Sequence, residues 1–131
     1  ATVYSDGIRC DGDRFTFERN LITGCRYGIF VGAGANATQF NTLILNNIIR
    51  ACNYGVFLES SQAGTGQNQC IIAGNIIDGT NAQTAISGVW GPGIVAWLSD
   101  NRIDGGAMDD INVLSASTFI QNFTEGSELT S

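Results

Sequence analysis

Residues 41–58 read Asn41-Thr42-Leu43-Ile44-Leu45-Asn46-Asn47-Ile48-Ile49-Arg50-Ala51-Cys52-Asn53-Tyr54-Gly55-Val56-Phe57-Leu58. The stretch joins two short motifs, an Asn followed two residues later by an Ile, and an alternating run that begins Tyr-Gly. The first motif recurs, with its Asn at positions 20, 47, 75, 101 and 122; the last two copies are weaker, and Thr124 replaces the Ile in the final one. The second recurs as Tyr27-Gly28-Ile29-Phe30-Val31, with weaker copies at 6–10 and 110–113. Such a repeat predicts a solenoid, because one unit buries its apolar face only when its neighbours stack on it.

Each motif Asn lies between two apolar positions that would point into the solenoid. The residues three before the Asn are Phe17, Ile44, Ile72, Leu98 and Phe119, and those two after it are Ile22, Ile49, Ile77, Ile103 and Thr124. A buried Asn is costly unless its amide is hydrogen-bonded. Coils stack at about 4.8 Å, so the amides can bond to one another. We therefore predict an internal asparagine ladder.

The repeat over residues 6–124 resembles that of the right-handed parallel β-helix family, which includes pectate lyases, NosD-like carbohydrate-binding proteins and phage tailspikes. The resemblance implies an all-β, right-handed parallel β-helix of about five coils. The prediction is a single domain over residues 1–131, a fragment or module of a larger protein or assembly. An antiparallel β-sandwich is the competing fold, but its strands would not repeat Asn-x-Ile at a fixed offset.

Composition excludes several function classes. The formal net charge is −6, and the chain has no His and no Lys. The absence of His excludes catalytic triads and zinc sites that need His. The absence of Lys excludes phosphate-binding loops and Schiff bases that need Lys. An acidic surface disfavours nucleic acid and anionic membranes as partners. Asp11-Gly12-Asp13 offers too few oxygen ligands for a calcium loop, so we predict no metal site and no cofactor, with calcium as an alternative that no motif supports.

Charged residues recur three positions after the motif Asn, and this is the one place where the repeat brings charged side chains of neighbouring coils together. It places Arg50, Asp78 and Asp104 one above another, about 4.8 Å apart per coil. Lyases of this fold use Arg with acidic calcium ligands, and its glycosidases use Asp pairs, so the resemblance implies a catalytic role for these three. A retaining carboxylate pair is separated by about 5 Å. The alternative is a surface salt bridge beside two Asp-Gly turns.

Loops after the second motif, at 32–39, 59–69 and 89–93, are rich in small and polar residues. Loops on one side of a repeat scaffold often bind ligands, so Glu59 and Trp90, together with the outward Trp97, are candidate carbohydrate-binding residues. The alternative is that these loops only cover the coil edges.

Outward positions carry many apolar residues, in one row containing Leu43, Ile71 and Trp97 and another containing Leu21, Ile48 and Ile76. A solvated face rarely carries so many. They predict a homo-oligomer, a trimer by resemblance to tailspikes, unless the loops cover these rows. Neither end has a recognisable cap, which predicts end-to-end stacking.

Cys25 and Cys52 both lie five residues after their Asn, and should therefore stack in neighbouring coils. Their spacing is compatible with a disulfide or with two free thiols packed in the core.

Three functions remain open at this stage. The first is an extracellular or virion-associated, tailspike-like module that binds surface polysaccharide, with or without cleaving it. The second is a polysaccharide lyase or hydrolase, and the third is a structural stacking unit of a fibre or appendage.

Overall fold

The computed structural model describes residues 6–11, 14–32, 42–59, 69–79, 87–91, 94–104, 109–113, 117–124 and 127–129. Within these ranges the chain forms short strands and no helix. The strands, in chain order, are β1 Asp6–Asp11, β2 Thr16–Glu18, β3 Leu21–Thr23, β4 Tyr27–Gly32, β5 Thr42–Leu45, β6 Ile48–Arg50, β7 Tyr54–Leu58, β8 Gln69–Ala73, β9 Ile76–Asp78, β10 Ser87–Gly91, β11 Val95–Ser99, β12 Arg102–Asp104, β13 Asp109–Val113, β14 Thr118–Ile120, β15 Asn122–Thr124 and β16 Ser127–Leu129.

The strands form three sheets in which every third strand pairs in parallel. Sheet A contains β1, β4, β7, β10 and β13, and sheet B contains β2, β5, β8, β11 and β14. Sheet C contains β3, β6, β9, β12 and β15, followed by β16. Each coil therefore contributes one strand to each sheet, and five coils stack. The fold is the predicted right-handed parallel β-helix.

Inward side chains form continuous apolar columns along the axis. In sheet B, Phe17 pairs with Ile44, Ile44 with Ile72 and Ile72 with Leu98. In sheet C, Ile22, Ile49, Ile77 and Ile103 follow one another in the same way. All of these side chains are buried, so stacking supplies the core that a single coil lacks.

The asparagine ladder is present and continuous. Nδ2 of Asn20, Asn47 and Asn75 each donates to Oδ1 of the Asn in the next coil at 3.0 Å, and Asn101 donates to Asn122 at 2.8 Å. The backbone N–H of each of these four donors bonds to the same oxygen. Asn20 is half-buried, and the other four are fully buried. The amides thus satisfy one another where water cannot reach them.

The turn before each ladder Asn has one left-handed residue. The positions are Arg19, Asn46, Gly74, Asp100 and Gln121, with φ between 51° and 68°. Gly and Asn adopt this conformation readily, whereas most residues pay for it. The repeated turn therefore points every Asn inwards even where, as at Arg19, local preference opposes it.

A second recurring position, the second residue of β1, β4 and β7, requires Gly for space. An added Cβ at Gly28 would lie 2.5 Å from the carbonyl oxygen of Gly55 and 2.6 Å from a methyl carbon of Ile49. Gly7 and Gly55 face equivalent contacts. The missing side chain of this Gly thus leaves room for the inward Ile of sheet C and for the backbone of the neighbouring sheet A strand.

The structure corrects two expectations from the sequence. Residues 89–91 were expected in a side loop, but they belong to β10, where Val89 pairs with Val56 and Trp90 with Phe57. Ser87-Gly88-Val89-Trp90 is thus a further copy of the second motif. The tail was expected to leave an open end, but β16 pairs antiparallel with β15 and covers that edge of sheet C.

Candidate functional site

The outer face of sheet A carries two adjacent columns rich in aromatic side chains. In the first column, Phe30 pairs with Phe57 and Phe57 with Trp90. In the second, Tyr27 pairs with Tyr54. Because the register is fixed by the inward Ile and Val residues, the five rings are placed on neighbouring coils of one face.

The five rings touch as a single cluster. The rings of Phe30 and Phe57 stack at 5.3 Å with an interplanar angle of 5°, and Tyr27 lies 4.7 Å from Phe57. Tyr54 meets Phe57 edge-on at 5.1 Å and Trp90 at 5.9 Å. Phe30 is 4% exposed, while the other four rings are half-buried. We call these five residues the aromatic face of sheet A.

Two guanidinium groups lie over rings of the aromatic face. Arg9 lies 4.2 Å from the centre of the Phe30 ring, and Arg26 lies 4.7 Å from the centre of the Tyr27 ring. Arg9 also forms an ion pair with Asp6 at 3.3 Å. Both Arg side chains remain exposed, so each offers donors to a ligand that lies on the rings.

The three carbohydrate-binding candidates do not share one surface. Trp90 belongs to the aromatic face, and the exposed Glu59 directly follows β7, its N–H donating to the Val31 carbonyl at 2.9 Å. Trp97 lies on sheet B, beside an open groove of about 260 Å³ lined by Ile71, Val95 and Thr118 among others. Trp97 is 46% exposed and pairs with Ile71 and Thr118.

The predicted charged column lies on sheet C in the expected register. Arg50 pairs with Asp78 and Asp78 with Asp104, one coil apart each. Asp104 forms an ion pair with Arg102 of its own strand at 3.6 Å, and its buried Oδ1 has no hydrogen-bond partner. The column is thus on a different sheet from the aromatic face, and its catalytic role stays a prediction.

The outward apolar rows are also as predicted. Thr16, Leu43, Ile71, Trp97 and Thr118 pair in succession on sheet B. Leu21, Ile48, Ile76, Arg102 and Phe123 do so on sheet C. Leu21 is 70% exposed, so this part of the row is open to solvent in the single chain. By contrast, Phe30 points outward but is covered by its neighbours on the aromatic face.

Cys25 and Cys52 occupy the same position in the first two turns from sheet C to sheet A. The Cys25 N–H donates to Cys52 Sγ at 3.4 Å, and both cysteines are free thiols. Burial raises the pKa of the Cys52 thiol to about 11 and that of Cys70 to about 12. The predicted stacking of the two cysteines is therefore observed, without a bond between them.

Sequence reasoning missed most of the aromatic face. Tyr27, Tyr54 and Phe57 were seen as motif positions rather than as ligand-binding candidates. The signal was present, because outward Tyr and Phe recur at the same offset in two coils and Trp90 takes the Phe position in a third.

Residues 2–127 match the family model described as "Periplasmic copper-binding protein (NosD)". No curated protein and no solved structure matches the chain. The family match spans nearly the whole chain and agrees with its three parallel sheets. The chain belongs to the NosD family.

Proposed function

We propose that this chain is a periplasmic β-helix module that binds polysaccharide along the aromatic face of sheet A. The observation that carries the proposal is the continuous cluster of Tyr27, Phe30, Tyr54, Phe57 and Trp90 across three coils. The family description supports the compartment, and gives no support to the virion alternative.

Sugar rings suit this face for a physical reason. One side of a pyranose ring presents C–H groups, which pack against the electron-rich face of an aromatic ring. The coils repeat at about 4.8 Å, close to the length of one sugar unit, so an extended chain lying along the axis can contact the four half-buried rings on successive coils, with the buried Phe30 supporting them from below. The Arg9 and Arg26 guanidinium groups supply hydrogen-bond donors for hydroxyl or carboxylate oxygens.

The copper named in the family description is not matched by the donors that the described residues bring together. Protein copper sites use His nitrogen, or Cys and Met sulfur. The chain contains no His and one Met, and the described residues contain no group of three His, Cys, Asp or Glu that could hold a metal. Among the described residues, Cys25 and Cys52 are two soft donors that lie together. The described residues therefore do not supply the donor set of a copper site.

A second candidate function is polysaccharide cleavage at Arg50, Asp78 and Asp104. The observation that favours it is their shared column, with Asp104 Oδ1 buried and without a hydrogen-bond partner. An Arg beside two carboxylates contains the groups for general acid and base chemistry on a glycan. Incubation with polygalacturonate tests it, because a lyase creates an unsaturated product that absorbs ultraviolet light.

We also propose that a second copy of this chain covers the outward rows on sheets B and C. A stable interface buries about 800 Å² per partner. That area is roughly an eighth of the 6640 Å² accessible surface of the chain.

No described residue belongs to a helix long and apolar enough to cross a membrane.

Affinity electrophoresis tests polysaccharide binding. Gels containing polygalacturonate, alginate, xylan or dextran should retard the wild-type chain in at least one case. Trp90→Ala and Tyr54→Ala should restore free migration in that gel, while Trp97→Ala, on sheet B, should not. Equal retardation of Trp90→Ala and wild type would move binding away from sheet A, and no retardation in any gel would reject the proposal.

A further inference from the structure

Two of the four cysteines lie against one another, and neither the family match nor the aromatic face explains them. Cys25 follows β3 in the first coil, and Cys52 follows β6 in the second. On one side of them Thr23 pairs with Arg50, and on the other Tyr27 pairs with Tyr54. The backbone is therefore in register on both sides of the pair.

The geometry suits a covalent bond between the two sulfur atoms. Parallel strands lie about 4.7–4.9 Å apart, and disulfides span Cα separations of about 4.4–6.8 Å. Cys52 Sγ accepts a hydrogen bond from the Cys25 N–H at 3.4 Å, so it points toward the coil of Cys25. Both thiols donate to backbone carbonyls two residues earlier, of Thr23 and Arg50, at 3.6 and 3.4 Å.

We propose that Cys25 and Cys52 form a disulfide that joins the first two coils when the chain meets an oxidising disulfide. Cys25 is the half-exposed member, whereas Cys52 is 3% exposed. The Cys25 thiolate attacks the external disulfide, whose S–S bond breaks and releases one thiol. Cys52 then loses its proton to water and attacks Cys25 Sγ, which releases the second thiol. The two protein thiols are oxidised, and the external disulfide is reduced to two thiols.

The other two cysteines provide internal controls. Cys10 lies in sheet A, in register with Val31, and Cys70 lies in sheet B between Thr42 and Ala96. Neither has a cysteine at the same position in the neighbouring coil. Cys70 is 1% exposed, and burial raises its pKa to about 12, so little of it is thiolate and it attacks an external disulfide slowly.

The test uses the folded chain and oxidised glutathione as the oxidant. Titration after denaturation without reductant should show four thiols before oxidation and two after it. Trypsin with a Glu-specific protease separates Cys25, Cys52 and Cys70 into peptides 20–26, 51–59 and 60–102. Mass spectrometry should then find the first two peptides joined. Closing a loop of this size should also raise Tm by about 10 °C.

Matched variants complete the experiment. Cys25→Ser should keep its three remaining thiols after oxidation, whereas Cys10→Ser should fall from three to one. Four remaining thiols in the oxidised wild type, a linkage through Cys10 or Cys70, or bonds between chains would overturn the proposal. Peptide mapping of the wild type gives this answer even where a Ser variant fails to fold.

Discussion

Replacement of Asn75 by Leu should destabilise the chain more than any change at an exposed Asn, because Asn75 lies in the middle of the ladder. Its Oδ1 accepts from the backbone N–H and the Nδ2 of Asn47 at 2.9 and 3.0 Å. Its Nδ2 donates to the Ile44 carbonyl at 2.8 Å and to Asn101 Oδ1 at 3.0 Å. Leu has a similar shape but can make none of these bonds.

The loss leaves two buried groups poorly satisfied, the Asn47 N–H and the Ile44 carbonyl. Each unsatisfied buried group costs about 1–3 kcal/mol, so the free energy of unfolding should fall by about 2–6 kcal/mol. With an m-value near 2 kcal/mol/M, a loss of 4 kcal/mol lowers the urea midpoint by about 2 M. Equilibrium unfolding followed by circular dichroism measures this shift.

The matched control is Asn46→Gly. Asn46 is exposed, lies one residue before a ladder Asn and has φ of 56°, a conformation that Gly accepts. We expect a change within about 0.5 kcal/mol. If Asn75→Leu shifts the midpoint no more than Asn46→Gly does, the amides do not hold the coils together and the ladder argument is refuted.

Three further predictions follow from other parts of the structure. Gly28→Ala should lower the free energy of unfolding by about 3 kcal/mol or more, because the added Cβ meets a carbonyl oxygen at 2.5 Å inside sheet A. Gly24→Ala has open space around the added Cβ but a φ of 72°, so it should lower that free energy by only about 1 kcal/mol. Equal urea midpoints for the two variants would contradict this prediction. Sedimentation should show a particle larger than one chain, with a trimer expected, and Ile71→Arg should dissociate it while leaving the circular dichroism spectrum unchanged; a monomeric wild type at high concentration would defeat self-association. If polygalacturonate is cleaved, Asp78→Asn and Asp104→Asn should each abolish ultraviolet-absorbing product without loss of fold, whereas unchanged turnover in both would remove this column as the site.

The fold could be predicted from sequence because the repeat places an inward Ile and a buried Asn at a fixed distance from each other along the chain. An Ile at a fixed offset from the first four ladder Asn residues specifies an inward apolar column and a buried amide at once, and no antiparallel arrangement needs both. The prediction held where the copies were strong, as at Asn47 and Asn75. It failed at residues 89–91, where Gly91 and Pro92 resemble a loop and hide the pairing of Trp90 with Phe57.

The candidate site was less predictable, because the faces that residues occupy depend on loops of variable length between the motifs. Trp90 and Trp97 are seven residues apart and were grouped together, yet they belong to sheets A and B. The column Arg50, Asp78 and Asp104 was placed correctly, since all three lie at one offset from a ladder Asn. Exposure could not be read from alternation alone, as the buried, outward Phe30 shows.

The most direct test of the account uses the only two tryptophans of the chain as reporters on two different sheets. Trp97→Phe leaves only Trp90, on the aromatic face of sheet A, and Trp90→Phe leaves only Trp97, on sheet B. During titration with the polysaccharide that retards the chain in gels, fluorescence of the variant that retains Trp90 should shift and saturate. Fluorescence of the variant that retains Trp97 should stay constant. A saturating change at Trp97 with none at Trp90 would contradict binding on sheet A.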